Sequence, residues 1–375
     1  MPYRAHQGPE HTPQDRSHTR RSRGTGRRTS LLAVLVVAVV ALTATTAAGG
    51  VRPLVNGDVP DPSIVQAKGK HYVVVGTGEQ VLRLSSSNGR RWQPAPPALV
   101  TRPGWARPTG SIWASDIVRL RGRWLLYYAA PVRGLGIDGR CIGVAVADSP
   151  TGQFVPAGSA PLVCPPDART PLGEDPVLDP GHTEPTLPTA GAIDPSLFQD
   201  GSGTWLLYKT DGVPSSIRTV QLTGNGLQVA GGSRAILTSA GVVENPVMLR
   251  RGGFYYLLTS VGDYTTCGYA TVYRRSRDLL SWPGHARALL TRRTTHLCGP
   301  GGADLLVQGR GRKARVSVYF HGWVCDGTGR PCRNPFHAWN GQEDARRPVR
   351  ALYGMTLDFT RRGFPVRGSW IRRRR

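Results

Sequence analysis

Gly191-Ala-Ile-Asp194-Pro-Ser-Leu-Phe198-Gln-Asp-Gly-Ser-Gly-Thr-Trp205-Leu-Leu-Tyr208-Lys-Thr-Asp-Gly212 decides the fold, because the rest of the chain repeats its plan. A carboxylate opens a short apolar strand, a Gly-rich turn follows, and a second strand carries bulky aromatic residues. The unit is present as Asp61-Pro-Ser-Ile-Val65 with His71-Tyr-Val-Val-Val75, and as Asp116-Ile-Val118 with Trp124-Leu-Leu-Tyr-Tyr128. It returns as Glu244-Asn-Pro-Val-Met-Leu249 with Phe254-Tyr-Tyr-Leu-Leu258, and more loosely as Gly299-Pro-Gly301 through Val307 with Val316-Ser-Val-Tyr-Phe320. The four acidic openings are spaced by 55, 78 and 50 residues. Paired strands repeating at such a period are the sequence form of a β-propeller. Five units predict an all-β, five-bladed propeller, with Asp116 expected at the same blade position as the other three acids.

The excess length between the second and third units falls on Cys164 to Ala192, which is rich in Pro, Gly and Asp and reads as an inserted loop. A second long loop is expected from Val324 to Pro348. The repeats place one propeller domain at residues 51–371, followed by a basic tail at 372–375. Residues 1–50 read as a targeting segment: basic residues ending in Arg27-Arg28 precede a twelve-residue apolar run, Leu31 to Leu42, and then small residues. Twelve residues suit a signal-peptide core, whereas a membrane span needs about 20. Counted on to Ala48 the run reaches 18, so retention as a membrane anchor by residues 31–48 is the alternative to secretion.

All six cysteines, Cys141, Cys164, Cys267, Cys298, Cys325 and Cys332, lie beyond that segment. An even number in an oxidising compartment reads as disulfides. Chain order pairs 141 with 164, 267 with 298 and 325 with 332, among fifteen arithmetical combinations. The formal charge is +24, from 48 Lys+Arg against 24 Asp+Glu, yet only Lys68, Lys70, Lys209 and Lys313 are lysines. The arginines are scattered along the chain instead of clustered, which argues against a nucleic-acid footprint. An acidic wall polymer stays open as a partner through the Arg-rich surface.

Asp61-Pro-Ser-Ile, Trp113-Ala-Ser-Asp, Ile193-Asp-Pro-Ser-Leu-Phe, Val243-Glu-Asn-Pro, Gly299-Pro-Gly and Arg350 to Asp358 with Gly363-Phe-Pro365 fall in the order seen in glycoside hydrolase family 43. The resemblance covers about residues 55–367. It implies a five-bladed propeller acting by inversion on arabinose- or xylose-containing polysaccharides, without a required cofactor. Asp61 resembles the family's general base, Glu244 its general acid, and Asp194 the third acid that orients Glu244 and raises its pKa. The resemblance also makes Trp113 and Arg350 candidates for sugar contact. His321 resembles a channel histidine that lies beside a calcium ion or a water in many relatives, so it is a candidate for both substrate and metal.

Physics explains how acids 183 positions apart could act together. The innermost strands of a propeller run along its central channel, so equivalent points of successive blades converge. Inverting glycosidases hold acid and base roughly 6.5–9.5 Å apart, leaving room for a water. The expectation is an exported, monomeric glycosidase cleaving α-L-arabinofuranosyl or β-D-xylosyl linkages; the alternative is a non-catalytic propeller that binds carbohydrate or wall polymer. Gly302-Ala303 replaces the polar pair usual after Gly-Pro-Gly, which removes a side chain near the expected pocket.

Overall fold

The computed structural model describes residues 51–373 apart from Ile137, Asp167, 169–189, 326–328, Asn334 and 336–346. Both long loops fall largely in the excluded stretches, and the targeting segment falls wholly in them. Five antiparallel sheets form the blades, each running from an innermost to an outermost strand in chain order. The innermost strands are Ser63–Gln66, Trp113–Leu120, Ala192–Asp200, Val243–Arg251 and Cys298–Gln308. These strands touch one another in a ring, blade 5 against blade 1 included.

The second strands are apolar almost throughout, as strands buried on both faces are. In Arg123–Pro131, Leu126 and Tyr128 face the core shared with blade 1, and Leu125 and Tyr127 face the core shared with blade 3. In Phe254–Val261, Tyr255 and Leu257 face blade 3, while Tyr256 and Leu258 face blade 5. A strand's two-residue period therefore supplies two inter-blade cores at once. The last of these cores joins Ile64, Val74 and Leu84 of blade 1 to Leu306, Tyr319 and Leu352 of blade 5, which closes the ring. The lead-in adds to that closure: Val55 bridges to Leu352, and the Val59 N–H donates to the Arg350 carbonyl at 2.8 Å.

The three disulfides are Cys141–Cys164, Cys267–Cys298 and Cys325–Cys332. The last two pack with Trp323 in one cluster at one end of blades 4 and 5.

The innermost strands correct the repeat register. Asp61, Ala114, Asp194, Asn245 and Gly302 all take left-handed backbone, with φ of 47°, 38°, 55°, 46° and 57°. In blades 2 to 5 this residue sits where the pairing register slips, which is a β-bulge. The structural equivalents are therefore 61, 114, 194, 245 and 302. Asp116 lies two residues farther along its strand than the position assigned to it, and Glu244 one residue earlier. Carboxylates were the wrong alignment mark, because what the blades share is a backbone conformation that Asp, Asn, Ala and Gly all adopt here.

Candidate active site

A bulge re-aims side chains at the end of a strand. Here the left-handed backbone at 61, 194 and 245 turns Asp61, Asp194 and Glu244 into one cavity of about 430 Å³ at the channel mouth, with Trp113, Lys209 and Arg350 also on its walls. The acids also interact electrostatically. Asp194 is buried, and that burial first and the Glu244 charge second push its carboxyl well above the usual range, while Lys209 opposes the shift.

Glu244 is held at both oxygens. Lys209 Nζ donates to Oε2 at 2.8 Å and also lies 3.3 Å from Asp211, and the Tyr269 hydroxyl is 2.7 Å from Oε1. Burial works to lower the Lys209 pKa, but the charges of Glu244, Asp194 and Asp211 outweigh it and hold the ammonium above the ordinary lysine range. Asp194 acts one residue over: its Oδ2 accepts the Asn245 N–H at 2.9 Å, so it fixes the bulge that carries Glu244. The Tyr269 hydroxyl also lies 2.6 Å from Asn245 Oδ1, and Asn245 Nδ2 is 3.4 Å from Asp61 Oδ1.

Asp61 meets Arg350 Nη1 at 3.4 Å and the Thr77 hydroxyl at 3.5 Å, both through Oδ2. Its backbone N–H donates to His321 Nδ1 at 3.1 Å. His321 is fully buried behind Asp61, stacked on Tyr269 at 5.8 Å, and is not on the cavity wall. Burial, then the Arg350 charge, holds its pKa well below the ordinary value, so the imidazole is neutral. Nδ1 also lies 3.5 Å from Asp61 Oδ1, while Nε2 has no hydrogen-bond partner among the described residues. No three His, Cys, Asp or Glu side chains among the described residues are grouped to hold an ion.

Gly302 explains its own identity. A Cβ there would stand 2.6 Å from both Asp61 Oδ1 and His321 Nδ1, and the φ of 57° suits glycine. The space that a polar side chain would need is occupied by Asp61 and the histidine beneath it.

Trp113 is half-buried, with the Arg140 guanidinium 3.1 Å from its ring centroid, and Arg140 is in turn held by the Ser111 carbonyl. One face of the indole is thus covered. Tyr264, 43% exposed at the cavity rim, was not singled out in the sequence; its carbonyl accepts from Trp323 Nε1 at 2.7 Å, and Arg350 lies 5.4 Å from its ring.

Lys209, Tyr269 and Asn245 were also missed. Lys209 did leave a signal: one of four lysines in an arginine-rich chain, it interrupts an apolar strand.

Asp116 and Asp304 lie deeper, lining the channel next to the bulges. Asp116 accepts from Ser63 Oγ of blade 1 at 2.9 Å and from the Leu197 N–H of blade 3 at 2.7 Å. Asp304 accepts the Ile64 N–H of blade 1 at 2.7 Å. Burial above all raises both, to about 7 for Asp116, where the Asp304 charge adds, and to about 6 for Asp304.

Residues 51–336 match the family described as glycosyl hydrolases family 43. Among curated proteins, the chain is 24% identical to an extracellular exo-alpha-(1→5)-L-arabinofuranosidase of Cellvibrio japonicus (strain Ueda107), over 76% of this chain and 77% of that protein. It is 25% identical to an extracellular endo-alpha-(1→5)-L-arabinanase of Bacillus subtilis (strain 168), over 66% of this chain and 76% of that one. Among solved structures, it shares its fold with an exo-1,5-alpha-L-arabinanase from a bovine ruminal metagenomic library: TM-score 0.59, 22% identity, covering 83% of this chain and 97% of that one. With three acids convergent on one cavity and the match spanning most of the propeller, the chain belongs to glycosyl hydrolases family 43 and is a glycosidase that hydrolyses O-glycosyl bonds.

Proposed function

We propose that the protein is an exported, inverting glycosidase that cleaves α-L-arabinofuranosyl linkages of arabinan, with β-D-xylosyl linkages as the alternative glycan. The observation that carries this reading is the convergence of Asp61, Asp194 and Glu244 on one cavity from three separate blades. Glu244 donates a proton to the departing glycosidic oxygen. Asp61 takes a proton from the water that attacks the anomeric carbon from the opposite face, as inversion requires. Asp194 fixes the Asn245 bulge, and Arg350 steadies the Asp61 carboxylate. The reaction needs no cofactor, and no step passes through a calcium ion.

The choice of arabinan follows the two curated relatives, both named for α-(1→5)-linked arabinose. The cavity's charge favours a neutral sugar: Asp61, Asp138, Asp194, Asp211, Glu244 and Asp263 line it against Lys209 and Arg350 alone. An anionic polymer or nucleic acid would meet repulsion there despite the overall charge of +24. Trp113 and Tyr264 are the faces on which a pentose ring would stack. Export is supported by the apolar run at 31–42 and by the pairing of all six cysteines. Anchoring by residues 31–48 falls outside the described residues, among which no helix is long and apolar enough to cross a membrane.

The test compares wild type with Glu244→Gln on linear arabinan, phenyl α-L-arabinofuranoside and phenyl β-D-xyloside. The variant should lose on the order of 10²–10⁴-fold in kcat on the preferred substrate, the usual contribution of a positioned acid. Equal activity in both proteins would remove Glu244 from the mechanism.

A further inference from the structure

We propose that Tyr269 and Asn245 form a directional bridge between the two catalytic carboxylates that makes ionised Asp61 and protonated Glu244 the matched resting pair. The inference rests on the acid and base roles given above and adds how the enzyme sets them.

Hydrogen-bond directions carry the inference. Asp61 must be ionised to take a proton, so both of its oxygens only accept. Asn245 therefore presents Nδ2 to Asp61 Oδ1, 3.4 Å away, and its Oδ1 is committed to the other side. An amide turned the other way would set an oxygen against the carboxylate. On that other side stands the Tyr269 hydroxyl, 2.6 Å from Asn245 Oδ1. A phenol has one hydrogen, and it goes to the amide oxygen. The same phenol oxygen lies 2.7 Å from Glu244 Oε1, and with its hydrogen on the amide it is placed to accept from a protonated Glu244. Burial above all, with the charges of Glu244 and Asp61, raises the Tyr269 pKa well above its usual value, so the phenol keeps its hydrogen.

Other groups facing this bridge do not supply its direction. Lys209 sits on Glu244 Oε2 with Asp211 behind it, and favours the ionised carboxylate. Asp194 adds negative charge from the next blade, and Ser260 is hydrogen-bonded to the Tyr269 phenol. Arg350 steadies ionised Asp61, and His321, neutral, accepts the Asp61 N–H. The bridge thus opposes Lys209: one favours protonated Glu244, the other its anion.

Turnover reverses both ends. The glycosidic bond breaks as the Glu244 proton goes to the leaving oxygen. The water oxygen bonds to the anomeric carbon and one water proton passes to Asp61. Glu244 is then an anion and attracts the Tyr269 hydrogen, which leaves Asn245 Oδ1 unpaired at 2.6 Å. The bridge therefore favours loss of the Asp61 proton and reprotonation of Glu244 through solvent, which restores the starting pair.

The experiment is the pH profile of kcat/KM for α-(1→5)-linked arabino-oligosaccharides, measured on the full mature chain as wild type, Tyr269→Phe and Asn245→Gly. Glycine suits the left-handed backbone at 245 and removes only the amide. Tyr269→Phe deletes the acceptor of the Glu244 proton, and Asn245→Gly frees the phenol hydrogen to turn to Glu244. Both should move the alkaline limb down by about one pH unit, the effect of one hydrogen bond gained or lost.

A phenol that merely donates to the Glu244 carboxylate would instead give an upward shift in Tyr269→Phe. A packing role would change stability and leave the limb in place. An alkaline limb that stays or rises in either folded variant overturns the proposal; if Tyr269→Phe does not fold, Asn245→Gly decides it alone. Wild type inert on every arabinoside and xyloside would instead sink the function itself, which separates the two failures.

Discussion

Lys209 places an ammonium 2.8 Å from the group assigned as proton donor, an arrangement that favours the wrong ionisation state for that role. Its strand neighbours are Leu206, Leu207 and Tyr208, all buried, and it is buried itself, so the charge is there at the cost of desolvation and needs its carboxylate partners. The gain is geometric: Glu244 is pinned at one oxygen by Lys209 and at the other by Tyr269. Replacing Lys209 by Met should remove the attraction for the Glu244 anion. The alkaline limb of kcat/KM should then rise by about one pH unit, with a fall in kcat because the acid is less well held. Lys209→Arg should keep the limb near its wild-type place. A pH profile of the three proteins checks this, and an unchanged limb in Lys209→Met would show that the ammonium does not control Glu244.

The innermost strands set the site and also hold the blades together. Polar groups link neighbouring blades: Asp116 to blades 1 and 3, Asp194 to blade 4, Ser260 on the second strand of blade 4 to the Gly302 N–H of blade 5, and Asp304 to blade 1. The Asp116 carboxyl is raised to about 7 from 3.8, so the folded protein keeps a proton that the unfolded chain releases. That contribution to stability is complete below the unfolded value and is lost as pH rises through about 7. Asp116→Asn, which can still accept the Leu197 N–H, should therefore flatten the fall in Tm between pH 4 and 8 and match or exceed wild type at pH 8. Thermal unfolding of both proteins across that range tests it; parallel curves would mean that Asp116 does not titrate there.

Blade number and blade order were legible because Trp-Leu-Leu-Tyr and Phe-Tyr-Tyr-Leu-Leu strands can only be buried on both faces. Asp61, Asp194 and Glu244 were legible as one group from the order of their motifs. The register was not, since Ala114 and Gly302 occupy the bulge with no carboxylate to mark them. Tyr269 and Asn245 were hidden for a related reason: their contacts form by folding within blade 4, between residues 24 positions apart, and no spacing along a chain encodes that.

Across the whole molecule, charge is partitioned. The protein carries +24, yet the cavity is lined by six acids and two cations. Some of the arginines pack over rings: Arg275 lies 4.4 Å from the Phe254 centroid and 3.9 Å from that of Phe364, and Arg287 lies 4.3 Å from Phe364. Such stacking buries the side-chain stem and keeps the charge at the surface. The cavity thus has its own acidic character inside a basic protein whose ring is closed by blade 5 on blade 1.

The claim on which this account rests is that Asp61 and Glu244 face each other across a sugar with a water between them. Proton NMR of the first-formed anomer during hydrolysis of phenyl α-L-arabinofuranoside or, should that be the preferred glycan, phenyl β-D-xyloside measures this most directly. The account predicts that the anomer of inverted configuration appears first, β-arabinose or α-xylose respectively, and equilibrates by mutarotation afterwards. First appearance of the retained anomer would contradict it, because the second carboxylate would then be attacking the sugar itself.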